Sequence, residues 1–314
     1  MRLIFKTYIL TIAVLLAVFL NVSGQQDVSF SQYMFDKMLA NPAYAGSSKW
    51  MVGSLKNRTM ISKIKGAPMS NIFTFQAPIQ TKSIGLGLKL IEDKIAITNT
   101  IEIDGVFSYH IGFGRGKLSF GIEAGGIKSN YNYDQLIRIT PDDPSIPTGN
   151  QSVFIPDVSS GVFYQNDKFY VGGSAYHLLN RKKNILIYDQ IQNYVVVKDY
   201  CALGGAFFEI RKNMILEPSF LLKYVTGAPI QVDLNTCLVF VDKMAFGLSY
   251  RTGDALIGMF KFDINKNLKI IYSYDYTLSK LSRFSMGNHE LSISYGVELL
   301  PPPAKRVIHP RYYF

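Results

Sequence analysis

From Trp50 onward the chain alternates apolar and polar residues at every second position. In TIEIDGVFSYHI (residues 100–111), Ile101, Ile103, Gly105, Phe107 and Tyr109 share one face, while Thr100, Glu102, Asp104, Ser108 and His110 share the other. GKLSFGIEAG (116–125) sets Leu118, Phe120 and Ile122 against Lys117, Ser119 and Glu123. IQVDLNTCLVF (230–240) sets Val232, Leu234 and Leu238 against Gln231, Asp233 and Asn235. NHELSISYGVEL (288–299) sets Leu291, Ile293 and Tyr295 against Glu290, Ser292 and Glu298. Period two is the strand signature. A polar residue at each second place fits a wet lumen inside a lipid-facing wall. A soluble sandwich shows the same alternation, so the period alone does not choose.

Strand number and loop length do choose. The pattern predicts strands near 49–57, 70–79, 82–91, 97–111, 116–128, 157–165, 168–178, 199–211, 213–225, 229–241, 243–251, 254–264, 267–277 and 287–299. The even-numbered connections are all short. The odd-numbered ones include long stretches near 58–69, 129–156, 179–198 and 278–286. Short turns at one end and long loops at the other are the asymmetry of outer-membrane barrels, which carry an even number of strands. The fold expected is therefore an all-β, antiparallel transmembrane β-barrel of about 14 strands. Glu102, Asp104, Glu123, Asp233, Glu290 and Glu298 face its lumen, and Ile101, Phe120, Leu234, Leu291 and Ile293 face lipid.

Composition agrees with this reading: 20 Tyr, 21 Phe and 25 Gly suit a membrane barrel. Residues 1–24 read as a secretory signal peptide. Arg2 and Lys6 form the basic end, an apolar run spans Tyr8 to Leu20, and Val22-Ser23-Gly24 precedes the cleavage point. That order predicts an exported protein of about 290 residues, with 25–48 as an N-terminal segment, 49–299 as the barrel and 300–314 as a basic tail. The net charge of +10 is spread over turns and strand faces without a patch interleaved with stacking aromatics, which argues against nucleic acid as a partner. Cys201 and Cys237 lie on the inward phase of non-neighbouring strands, either bridged or as two thiols.

Patterned chemistry is sparse. His110, His177, His289 and His309 lack paired-ligand spacing, so neither a metal nor a cofactor is expected. His110 with Asp104 is the nearest approach to a catalytic pair. Asp142 and Asp143 lie in a loop with prolines at every third place and without a calcium-loop pattern. Tyr272, Tyr274 and Tyr276 form an outward stripe, read as an interfacial aromatic girdle ahead of a ligand platform.

Several stretches exceed what barrel physics demands. FSQYM (30–34) followed by NPAYAG (41–46), the run KYV…APIQVD within 223–233, and GNHE at 287–290 resemble the PorP/SprF family of outer-membrane proteins from the type IX secretion and gliding machinery of Bacteroidetes. The resemblance implies a non-enzymatic barrel that assists export or surface anchoring of a cargo protein with a type IX C-terminal domain. It further implies links to periplasmic ring or peptidoglycan-binding components. Residues 25–48 then read as a luminal plug built on Phe30, Tyr33, Met34, Phe35, Asn41, Pro42 and Tyr44, with a disordered periplasmic tether as the alternative. Contacts to cargo would come from the extracellular loops, where Tyr131, Tyr133, Arg138, Phe154, Arg181, Tyr188, Tyr194 and Phe284 are the available anchors. The competing function is a FadL-like transporter of a small or hydrophobic solute, for which Pro218 in mid-strand marks a site where the wall would kink.

Overall fold

A computed structural model describes residues 29–62, 66–79, 83–136, 148–179, 182–187, 190–241 and 243–299. The expected signal peptide, the C-terminal tail and most of the proline-rich loop, with Asp142 and Asp143, lie outside the described residues. The strands are β1 (Trp50–Ser62), β2 (Met69–Ile79), β3 (Ile84–Ile95), β4 (Thr98–Phe113), β5 (Gly116–Asn132), β6 (Asn150–Gln165), β7 (Phe169–Tyr176), β8 (Lys182–Ile187) and β9 (Gln190–Val195). After them come β10 (Asp199–Ala206), β11 (Phe208–Arg211), β12 (Met214–Val225), β13 (Gln231–Phe240), β14 (Met244–Arg251), β15 (Ala255–Asp263), β16 (Leu268–Thr277) and β17 (Ser285–Glu298).

Fifteen of these strands form one antiparallel sheet. It closes because β1 pairs with β17 on one side and β10 pairs with both β7 and β12 on the other. Strands β10 and β11 follow one another along the same edge of β12, so the closed barrel has 14 strands. The break falls at Phe207, between the pairs Gly205–Ser219 and Phe208–Leu216. It lies opposite Glu217 and Pro218. A proline has no N–H to give to the ladder, which accounts for a gap at that point. On its other side β12 stays in register with β13, where Pro218 faces Thr236.

The faces divide as the alternation requires. Phe120, Leu234, Leu291 and Ile293 are exposed on the outside and Ile101 partly so, whereas Asp104, Glu123, Asp233 and Glu290 are buried inside. Glu102 is partly buried, and Glu298 sits exposed at the rim, paired with Lys49. Tyr272, Tyr274 and Tyr276 lie on the outward phase of β16, with the Tyr272 hydroxyl 2.6 Å from His289 Nδ1. Ile293→Lys therefore places an ammonium on the lipid face, at a cost of about 2–4 kcal/mol near the midplane. The expected result is loss of the heat-resistant folded band on unheated gels, while Ile293→Val keeps it. Ser292 is a poor luminal control, because its hydroxyl donates to Gln32 Oε1 at 2.5 Å.

Two loops differ from what the sequence suggests. The stretch expected as a loop over 129–156 is strand at both its ends, since β5 runs to Asn132 and β6 starts at Asn150, with Tyr131 opposite Gln151. Polar residues in these extensions hid their pairing. The stretch over 179–198 contains the separate hairpin β8–β9.

Candidate functional site in the barrel lumen

The N-terminal segment descends along the inside of the wall. Its first described residue, Ser29, accepts a hydrogen bond from Gln231 at the start of β13, next to the loops that a barrel turns outward. Its last residues meet β2 and β3 near the short turns, where Gly46 N–H donates to Gln76 Oε1 at 3.2 Å.

Between these ends the segment makes little regular structure of its own, so its backbone polar groups find partners on the wall. Ser31 N–H donates to Glu290 and its hydroxyl to Asp275 at 2.7 Å. The Gln32 amide donates to the Glu290 carbonyl at 2.9 Å and to the Ser273 hydroxyl. Asp36 accepts from Thr74 at 2.8 Å. The carbonyls of Leu39 and Ala40 accept from Tyr176 and Ser174. Apolar side chains fill the remaining space. Tyr33, Met34, Ala40 and Ala43 form one core with Phe163, Tyr170, Leu203, Leu221 and Ile257 of the wall. Burial raises the pKa of the Tyr33 hydroxyl well above the ordinary phenol value, so it stays neutral beside Ser219.

The NPAYAG stretch shows how local chemistry shapes the contact. The Asn41 side-chain oxygen accepts from Ala43 N–H at 2.9 Å and caps the short turn Pro42–Tyr44, with proline at the first position of the turn. The Asn41 amide then donates to the carbonyls of Val162 and Gly173 at 3.0 and 3.1 Å. The turn sits over inward positions held by glycine. A side-chain carbon on Gly121 would overlap the backbone of Pro42 and Ala43, and one on Gly161 would overlap Asn41. Gly121→Val therefore expels the turn. The same change at outward Gly105, whose nearest neighbour would be a carbonyl oxygen at 3.8 Å, leaves it seated. Limited proteolysis of the folded barrel should cleave the N-terminal segment in the first variant only.

Two charged clusters flank the segment. In one, Arg251 is fully buried and binds Asp233 at 3.0 Å, with Asp275 at 3.6 Å, while Arg58 binds Asp275 at 2.6 Å and Glu290 at 3.0 Å. In the other, Lys89 Nζ lies 2.7 Å from Glu102, 3.2 Å from Asp104 and 2.6 Å from Glu123. These three carboxylates stand within 4.8 Å of one another, a metal-like spacing, but an ammonium of the chain already lies among them. The suggested pair of His110 with Asp104 does not form. Asp104 is held by Lys89, and His110 contacts Ser108 and Ser119.

Above the segment lies a cavity of about 440 Å³, lined by Ser29, Phe30, Tyr33, Lys89, Glu102 and Tyr131 among others. Of the plug residues, Phe30 lines this cavity, Tyr33, Met34, Asn41 and Pro42 are buried, and Phe35 and Tyr44 pack against the wall core. Of the rim residues, Tyr131 lies on β5 rather than in a loop and stacks on buried Tyr133. Phe154 lies on the outward face of β6, covering Gly126, and Phe284 is exposed just before β17. Arg138, Arg181 and Tyr188 lie outside the described residues, as does the side chain of Tyr194. Sequence reasoning passed over Ser31, Asp36, Arg58, Lys89 and Arg251. Inward charge in a strand carries no local mark of its partner.

Comparison with known proteins gives two kinds of match. The family model described as "Type IX secretion system membrane protein PorP/SprF" matches residues 22–295. Among solved structures, the chain is similar in fold to the Ralstonia pickettii toluene transporter TbuX, with a TM-score of 0.51 at 10% identity over 84% of this chain and 93% of that one. It is also similar to the monoaromatic hydrocarbon channel CymD, with a TM-score of 0.53 at 12% identity over 89% and 95% of the two chains. No curated protein matches it in sequence.

Proposed function

The chain belongs to the PorP/SprF family of type IX secretion membrane proteins, and from that premise we propose that it is a non-enzymatic outer-membrane barrel that anchors or helps to export a partner protein, with its N-terminal segment as a plug. The observation that carries the plug is the set of bonds from Ser31, Gln32, Asp36 and Asn41 to wall strands. A lumen of 14 strands is wider than its own side chains fill, and this segment occupies it.

The partner is a cargo protein bearing a type IX C-terminal domain, met on the extracellular side. Tyr131, Arg138, Phe154, Arg181, Tyr188, Tyr194 and Phe284 are the contacts proposed for it, with buried Tyr133 supporting Tyr131 from beneath, because aromatic and arginine side chains supply most binding energy in interfaces. On the other side the basic tail 300–314 is the proposed handle for a periplasmic component of the machinery. In a Bacteroidetes host, removing the barrel should release one specific large protein from the cell surface into the medium. Replacing several of the rim aromatics with Ser should do the same at normal barrel abundance. Unchanged retention of every surface protein rejects the anchoring reading.

A second reading, transport of a small or hydrophobic solute, is favoured by the luminal cavity and by the ladder gap at Phe207. The relatives in fold named as a toluene transporter and a hydrocarbon channel point the same way. It predicts that uptake of a solute falls on deletion while all surface proteins stay attached.

A further inference from the structure

The outer wall carries a hollow whose chemistry follows from strand register. Across five strands the pairs Ile293–Leu55, Leu55–Phe73, Phe73–Leu90 and Leu90–Ile103 make one apolar row on the lipid side. Two residues further toward the long loops, the next outward row reads Leu291, Asn57, Asn71, Glu92 and Ile101. Three polar side chains thus stand between apolar ones. Both rows line a groove of about 470 Å³, within the range of small-ligand sites, about 300–1,000 Å³. Every residue lining it belongs to a described strand. Leu55 and Ile103 are 61% and 51% exposed, so the groove is open on its outer side.

The polar row is bonded along its length but keeps donors on its face. The Thr59 hydroxyl donates to Asn57 Oδ1 at 3.0 Å, the Asn57 amide to Asn71 Oδ1 at 2.8 Å and the Asn71 amide to Glu92 Oε2 at 3.1 Å. Glu92 Oε1 lies 2.6 Å from Lys94 Nζ. A side-chain amide has two N–H groups, and the second on Asn57 and on Asn71 has no partner among the described residues. Tyr272, in the outward aromatic stripe, stands opposite Leu291, which sets the row at the level of a membrane-interface girdle. Polar residues suit that level. A hollow directly beneath them is a separate feature, and it gives an amphiphile a place for its chain.

We propose that this groove binds one lipid of the outer leaflet, with an acyl chain along Leu55, Phe73, Leu90 and Ile103 and its head group on the polar row. Glu92 and Lys94 make the row zwitterionic, so it matches a head group that carries phosphate beside N–H or O–H donors. The phosphate takes the free N–H groups of Asn57 and Asn71 and the Lys94 ammonium, and the donors of the head group meet the Glu92 carboxylate. A choline head supplies the phosphate without those donors. The site is independent of whether the barrel anchors a protein or passes a solute.

The chain has a single tryptophan, Trp50, so Trp50→Phe gives a dark background. In it Phe73→Trp reports the groove, and Leu248→Trp, 67% exposed on the outward face of β14, reports ordinary wall. Each barrel is reconstituted into phosphatidylcholine with brominated acyl chains, which quench tryptophan on contact. Unbrominated lipid A, a phosphorylated amino-sugar lipid with amide and hydroxyl donors, is then mixed in, with unbrominated phosphatidylcholine in parallel. Lipid A should relieve quenching at Phe73→Trp about fivefold more effectively per mole, the effect of about one added hydrogen bond, and no more effectively at Leu248→Trp. Asn71→Leu with Glu92→Leu keeps the hollow and should abolish the preference, and Asn57→Leu alone should reduce it. The heat-resistant folded band checks that both variants are intact. Equal relief at the two positions, or a preference that survives the double change, overturns the proposal. A Phe73→Trp that brominated chains never quench overturns it too, and a dimer in sedimentation would then assign the groove to a second copy of the chain.

Discussion

Deleting residues 29–46 is expected to yield a barrel that still inserts and that conducts ions more than the intact protein does. The wall strands pair with one another through a complete ring of antiparallel ladders, and none of those backbone bonds depends on the segment. Insertion therefore survives. Water is expected to take the segment's place, because the groups facing it are those that water hydrates well. Glu290, Asp275, Ser273 and Ser292 each bond to Ser31 or Gln32, and the glycines at 121 and 161 leave no side chain to refill the space. Single-channel recordings in planar bilayers are the check. A deletion barrel as silent as the intact one would remove the plug from the proposal. Gly121→Val tests the same point with one residue changed, and partial conductance is expected there because only the NPAYAG turn is displaced.

Arg251→Met carries the largest expected stability loss among single substitutions. The arginine is fully buried, and its guanidinium answers Asp233 on the adjacent strand and Asp275 two strands away. Methionine keeps most of the volume and removes the charge, leaving Asp233 without its partner and Arg58 alone between Asp275 and Glu290. Breaking a buried pair from one side costs about 3–5 kcal/mol. The folded band should disappear at a markedly lower temperature in heat-modification gels. Arg251→Met combined with Asp233→Asn should recover part of the loss, since the uncompensated carboxylate is then gone. A single variant as heat-resistant as the parent would mean that the cluster contributes nothing to holding the barrel.

The strand phase was legible because it is local. Ile293 and Ser292 declare their faces by alternation alone, and Pro218 announces trouble in a ladder by lacking an N–H. Strand ends were less legible. Tyr131, with Asn130 and Asn132, looks like loop chemistry, yet these residues pair with Gln151, Ser152 and Asn150 respectively at the long-loop end of the hairpin. His110 and Asp104, the nearest approach to a catalytic pair in the sequence, stay apart for a geometric reason. Six residues along a strand span about 20 Å, far beyond side-chain reach, whereas Asp104 meets Lys89 directly across the ladder.

By itself, the sequence determined the class of fold, the number of wall strands, which side chains face lipid, and the family to which the chain belongs. Each of these is carried by period-two alternation, by short contiguous motifs or by the order of loop lengths along the chain, all readable without knowing which distant residues meet. Tertiary structure alone decided which buried charges meet, what the N-terminal segment touches, and where a cavity remains. Ser31 reaches Asp275 and Glu290 across more than two hundred residues, and Gly121 matters only because Ala43 is placed against it. Such contacts depend on cross-strand register and on closure of the ring, and no local pattern records which distant strand will supply the partner.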